Sequence, residues 1–183
     1  MEHRIIIAGF GGQGVQSMGQ LICYAGIHEG KNVSWLPSYG PEMRGGTTNC
    51  SVIVSDEPIG APVLTEGNCV MVLNRPSLDK FEPAVEPGGR LYINTSLIDR
   101  KAEREDIEVI YIPCDDLANE MGNGRVANMI MLGAFIEATG IVSIDSVIEA
   151  LKKVLGERKA HLIPLNREAL ERGARIARGE EKV

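Results

Sequence analysis

Two stretches of this chain have residue types at a spacing that could do chemistry: Gly9-Phe-Gly-Gly-Gln-Gly14 and Ser38-Tyr-Gly-Pro-Glu-Met-Arg-Gly-Gly-Thr47. The first follows a short apolar run and opens a helical pattern. Its backbone N–H groups at Gly11, Gly12 and Gly14, with a helix N-terminus behind them, suit an anion, most often a phosphate. The same glycines would also serve a tight turn and close packing of helix on sheet; both readings stay open at this point. The second stretch places an acid and a base, Glu42 and Arg44, beside the Tyr39 hydroxyl and the Gly45-Gly46 pair. Arg44 suits two parallel hydrogen bonds to a carboxylate or phosphate. Paired with Glu42 instead, it would make an ordinary surface ion pair of little energetic weight. The candidate binding residues are therefore Gly9, Gly11, Gly12, Gln13 and Gly14 from one loop, and Tyr39, Glu42, Arg44, Gly45 and Gly46 from the other.

Several chemistries find no support. Nicotinamide binding by a glycine-rich turn needs an acid at the end of the next strand to hold the ribose. Here that strand ends Val33-Ser-Trp-Leu-Pro37, without one. A P-loop needs Lys and Ser or Thr after its last glycine, and Gly14 is followed by Val15-Gln16. Cys23, Cys50, Cys69 and Cys114 form no CxxC pair and sit mostly among apolar neighbours, as buried structural thiols do. His28, at the end of the first helix, suits the helix dipole there, and His161 has no cluster of further ligands. No residue is assigned a catalytic or metal-binding role. Asp115-Asp116 reads as the acidic first turn of a helix, Asn123-Gly-Arg125 as a turn, and Met43 as a residue suited to partner packing.

The elements that must position these loops follow from hydrophobic period. Arg4–Ala8 reads as a strand buried on both faces, and 15–29 as a helix capped by Gly30. Its Val15, Gly19, Ile22 and Gly26 share one face, where the two glycines allow close approach to a sheet. Strands are expected at 32–37, 47–55, 69–74, 90–94 and 108–113, with one short helix over 76–85. The 126–139 segment is apolar nearly all round and should be buried. Ser143 caps a helix striped by Ile144, Val147, Ile148, Leu151, Val154 and Leu155, and Asn166 is expected to cap a last helix through Arg178. Strands interleaved with helices predict a three-layer α/β/α domain with a Rossmann-like sheet. The loop before 47–55 is too short for a crossover helix, so the sheet should be mixed.

At 183 residues the chain is expected to form a single domain. A net charge of −6 supplies no field for nucleic acid. No apolar run reaches the 18 or so residues of a membrane helix, and no signal-peptide pattern precedes the first strand, so a cytoplasmic location is expected.

Together, Gly9-Phe-Gly-Gly-Gln-Gly-Val15 and Ser38-Tyr-Gly-Pro-Glu-Met-Arg-Gly-Gly46, with the later Asn128-x-x-x-Leu-Gly-Ala134 helix, resemble the γ subunit of the 2-oxoacid:ferredoxin oxidoreductases over nearly the whole chain. The resemblance implies one γ-type domain over 1–183. It further implies a complex that converts a 2-oxoacid and coenzyme A to acyl-CoA, CO₂ and reduced ferredoxin. In that family thiamine diphosphate with Mg²⁺ is bound by the α and β subunits, and iron–sulfur clusters sit on β and δ. This chain fits the cofactor-poor partner, since it lacks clustered Cys and the thiamine-binding Gly-Asp-Gly pattern. Expected partners are the α, β and δ subunits and, through the complex, ferredoxin. The expected substrate is 2-oxoglutarate, ahead of pyruvate, branched-chain and aryl 2-oxoacids. Isolated chains are expected to be able to self-associate where partners should bind. The alternative is a free-standing phosphate- or nucleotide-binding α/β protein.

Overall fold

A computed structural model of the chain describes residues 1–39 and 46–183. Six strands make one sheet: β1 (Glu2–Phe10), β2 (Asn32–Tyr39), β3 (Thr47–Ser55), β4 (Gly67–Val72), β5 (Val85–Asn94) and β6 (Glu108–Ile112). Their order is β2-β3-β1-β4-β5-β6. β1, β4, β5 and β6 run parallel, while β3 is antiparallel to both of its neighbours. The sheet is mixed, as expected, and for the expected reason: the return from β2 to β3 is too short to cross over.

One face of the sheet carries most of the helices: α1 (Val15–His28), α3 (Cys114–Glu120), α4 (Ala127–Thr139), α5 (Ile144–Leu155) and α6 (Ile163–Ala177). The other face carries α2 (Arg75–Phe81), a single 3₁₀ turn over Glu82–Ala84 and the connection around Ile98, Ala102 and Ile107. The three layers are thus unequal in thickness. Ile5, Ile7 and Ala8 of β1 are fully buried, as a strand covered on both faces requires.

Helix α1 lies close on the sheet. A Cβ at Gly19 would come within 2.8 Å of Cys50 Sγ and of Trp35 Nε1, and one at Gly26 within 2.7 Å of Val33. Helix α4 is buried because the sheet lies on one side of it and α6 on another. At the α4–α6 crossing, a Cβ on Gly133 would collide with the Leu170 carbonyl, and one on Gly173 with the Ile130 carbonyl.

Several expected boundaries shift. Helix α6 begins at Ile163, not after Asn166: Pro164 occupies its first turn, where a fixed φ and a missing N–H cost nothing. Asn166 is inside the helix, its Nδ2 donating to the Leu162 carbonyl at 2.8 Å. The 76–85 segment divides into α2, capped by Asn74 Oδ1 accepting from Ser77 N at 3.0 Å, the 3₁₀ turn, and the start of β5 at Val85. Strand β2 runs two residues further than expected, to Tyr39, because β3 pairs with it over its full length.

Candidate functional site at the carboxyl edge of the sheet

The strand directions bring the carboxyl ends of β1, β2, β4, β5 and β6, and the start of β3, to one edge. In parallel α/β sheets this is the edge that binds ligands. The glycine loop stands there between β1 and α1. Gly14 is the N-cap of α1, with φ 79° and ψ 23°, the left-handed region that glycine adopts without penalty. Its small size is needed as well, because a Cβ there would run into Asn128 on α4, whose Nδ2 donates to the Gly14 carbonyl at 3.5 Å.

The loop is held internally. Phe10 N donates to Gln13 Oε1 at 2.6 Å, and Gln13 Nε2 donates to the Leu73 carbonyl at the end of β4 at 3.3 Å. Gln13 N closes the turn on the Phe10 carbonyl at 3.2 Å. Gly11 N donates to the Gly46 carbonyl at 3.1 Å, which fastens the loop to the entry of β3. Gly9 has a packing role, since a Cβ there would meet Gln13 Oε1 at 2.7 Å and Leu73 and Val15 at 3.0 Å. Among the described residues, the N–H groups of Gly12 and Gly14 have no hydrogen-bond partner. Behind them stand the first-turn N–H groups of α1, which a helix cannot satisfy internally. The donors available to an anion are therefore those of Gly12, Gly14 and the first turn of α1, while that of Gly11 is engaged.

A cavity of about 430 Å³ opens on this N-terminus. Gly11, Gly12, Gly14, Gln16 and Ser17 form one wall, and Tyr39, Gly46, Thr47 and Thr48 the other. Gln16 joins the walls: its Nε2 donates to Thr48 Oγ1 and to the Asn49 carbonyl, both at 2.9 Å. Thr48 Oγ1 in turn donates to the Ser38 carbonyl at 3.1 Å. The structure thus unites Gly11, Gly12, Gly14, Tyr39 and Gly46 in one cavity and adds Gln16, Ser17, Thr47 and Thr48. These four are ordinary polar residues whose role follows from the β2–β3 pairing, so no local pattern marks them. Glu42, Arg44 and Gly45, with Met43, lie outside the described residues.

Behind the loop, between the ends of β1, β4 and β5, lies a smaller crevice of about 110 Å³ that Gln13 lines. Its floor is Asn94, buried, with Nδ2 donating to Asp115 Oδ2 at 2.7 Å and to the Leu73 carbonyl at 3.2 Å. Asp115 thus begins α3 and also faces the strand-end edge. This arrangement sharpens the case against a dinucleotide fingerprint. The strand after α1 does not neighbour β1, because antiparallel β3 is inserted between them.

The lining of the larger cavity offers hydroxyls, an amide and backbone N–H groups, but no carboxylate, imidazole or thiol among the described residues. Nor does any group of three or more His, Cys, Asp or Glu come together to hold a metal among them. All four cysteines are free and buried. Burial pushes the Cys23 and Cys50 thiols up to about 12 and that of Cys69 up to about 11, so none is a ready nucleophile. The site can bind and dock; it has no groups for proton transfer or covalent chemistry.

No helix among the described residues is long and apolar enough to cross a membrane. The family model for pyruvate ferredoxin/flavodoxin oxidoreductase matches residues 4–176. The chain is 41% identical to the ketoisovalerate oxidoreductase subunit VorA of Methanothermobacter marburgensis over 97% of its own length, but spans only 37% of that relative. It is similar throughout to the γ subunit of a keto/oxoacid ferredoxin oxidoreductase from Geobacter sulfurreducens, with a TM-score of 0.85, 29% identity, and 100% and 99% of the two chains covered. It is also similar to the 2-oxoglutarate:ferredoxin oxidoreductase of Magnetococcus marinus, solved with 2-oxoglutarate, coenzyme A and succinyl-CoA bound. There the TM-score is 0.89 at 25% identity, with all of this chain and 32% of that one covered. By fold and by sequence, the chain belongs to the pyruvate ferredoxin/flavodoxin oxidoreductase family.

Proposed function

We propose that residues 1–183 act as the γ-type domain of a cytoplasmic 2-oxoacid:ferredoxin oxidoreductase. The complex would oxidatively decarboxylate a 2-oxoacid, pass the acyl group to coenzyme A and reduce ferredoxin. The observation that carries this reading is the character of the edge site: a built cavity at a helix N-terminus, without catalytic side chains among its described residues. Such a surface contributes binding and assembly, and leaves the chemistry to partners.

Thiamine diphosphate with Mg²⁺ and the iron–sulfur clusters belong, on this proposal, to the α, β and δ subunits. The donor sets agree, since the four cysteines are buried in the fold and no metal-capable cluster forms among the described residues. When bound in the complex, those groups supply decarboxylation and electron transfer. This chain's own part is to meet one anionic group of coenzyme A with the N–H groups of Gly12, Gly14 and the first turn of α1. Arg44 would serve a second anionic group. Tyr39, Thr47 and Thr48 would line the passage of the ligand and exclude water from it. The 2-oxoacid itself would be selected by the thiamine-binding subunits. Relatives named for ketoisovalerate and for 2-oxoglutarate share this one domain, and both substrates fit the proposal.

Gly12→Asp and Arg44→Ala, each in the assembled complex, test the reading through coenzyme A affinity. The aspartate would place a negative charge against the anion, and loss of Arg44 would remove a charge-assisted contact worth about 1.5–3 kcal/mol. Each should weaken binding by roughly tenfold or more. Unchanged affinity and unchanged assembly in both would remove the coenzyme A role.

A further inference from the structure

Away from the edge site, one surface strip departs from the charge logic of the rest of the molecule. Residues 152–161 read Lys-Lys-Val-Leu-Gly-Glu-Arg-Lys-Ala-His and hold four of the chain's 19 Lys and Arg but only one of its 25 Asp and Glu. The chain as a whole is at −6. Elsewhere the fold binds arginines to carboxylates: Arg4 to Glu86 at 2.7 Å, Arg100 to Glu82 at 3.0 Å, Arg172 to Glu120 at 2.6 Å. In the strip, Lys152 pairs with Glu149 at 2.9 Å, whereas Lys153, Arg158 and Lys159 have no ion pair among the described residues.

The backbone explains part of this. Lys152 and Lys153 fall in the last turn of α5, where cations favour the helix dipole. That account stops at Gly156. Beyond it, Glu157–Leu162 forms a six-residue 3₁₀ helix, long for that geometry, and none of its residues is buried. Gly156 through His161 are all exposed. Its two flanks are anchored, because Leu155 and Ile163 pack against the core. A segment fixed at both ends and burying nothing presents its cations in a set arrangement. Val154, 44% exposed, lies within the strip and gives it an apolar centre.

We propose that Lys153, Arg158 and Lys159, displayed around Val154, form an electrostatic docking surface for a protein face rich in Asp and Glu. Nucleic acid would meet the same cations but also the acidic remainder of this chain, so a discrete acidic protein face is the better match. The inference rests on the subunit reading above in one respect: the acidic face belongs to another polypeptide of the same complex.

The test uses the assembled complex and follows release of this chain from it as KCl is raised. The triple variant Lys153→Glu, Arg158→Glu, Lys159→Glu is compared with a control of equal charge change elsewhere, Lys80→Glu, Lys101→Glu, Lys182→Glu. Circular dichroism checks that both fold. The strip variant should dissociate at roughly half the KCl needed for wild type or less, because opposed charges become like charges across the contact. The control should stay near wild type. In wild type, a zero-length carbodiimide should join Lys153 or Lys159 to a carboxylate on another polypeptide. Equal release of strip variant and control, with cross-links only within the chain, overturns the docking surface and leaves the subunit reading standing. A wild-type chain that associates with no other polypeptide overturns both.

Discussion

Gly12 and Gly14 look alike as letters but are held to glycine by different physics. Both have positive φ, 92° and 79°, yet a Cβ on Gly12 points into open space while one on Gly14 meets Asn128. Gly12→Ala should therefore cost only backbone strain, about 1 kcal/mol. Gly14→Ala should cost about 2–4 kcal/mol, and Asn128→Ala in the same chain should recover part of that. Urea unfolding midpoints check both. The thiols give a second test at this scale. Ellman's reagent at pH 8 should label none of the four cysteines in the folded chain within minutes and all four in urea, because reaction needs the thiolate that burial suppresses. A fast native thiol would contradict the packing. At this scale the sequence was legible where chemistry is local: the glycine turn and the apolar surroundings of the cysteines. Gln16 and Thr48 were not legible, because their partnership joins a helix to a strand 32 positions away.

Among the elements, the period-3.6 stripe of α5 and its Ser143 cap could be read directly, and Ser143 Oγ accepts from Ser146 N at 3.0 Å as a cap should. The mixed sheet followed from the length of one loop. What escaped was tertiary. Asn166 is an eligible cap by type, but Pro164 starts the helix earlier, and packing against the core favours the longer form. The crossing of α4 and α6 also has no local signature, since Gly133 and Gly173 become informative only when two backbones meet. Gly133→Ala and Gly173→Ala should each destabilise by about 2–4 kcal/mol, as overpacking against backbone cannot be relieved by a rotamer change. Calorimetric or urea unfolding measures this, and a shift below 1 kcal/mol would mean the helices can separate at little cost.

Over the whole molecule, two groups set the same sign of pH dependence. His3 has its pKa lowered, first by burial and then by neighbouring cations that include Lys31 and Arg90. The unfolded chain therefore binds this proton at a higher pH, near 6.5, than the folded chain does. Stability should fall as pH drops through that window. The Arg4 guanidinium holds the Glu86 carboxyl below its usual 4.5, so its contribution is present above that pH and is lost further into acid. Urea midpoints should decline in two limbs from pH 7 downward, with His3→Gln flattening the upper one and Glu86→Gln the lower.

The fold itself delivers one edge lined by backbone donors and hydroxyls, beside a body whose described residues offer no nucleophile or metal cluster. A molecule of that kind works through others. The most direct test is reconstitution: 2-oxoacid- and coenzyme A-dependent reduction of ferredoxin by the remaining subunits, with and without this chain. The chain alone should turn over nothing, and adding it to its partners should restore activity in a saturable, stoichiometric way. Turnover by the isolated chain, or full activity of the partners without it, would contradict its role as a subunit.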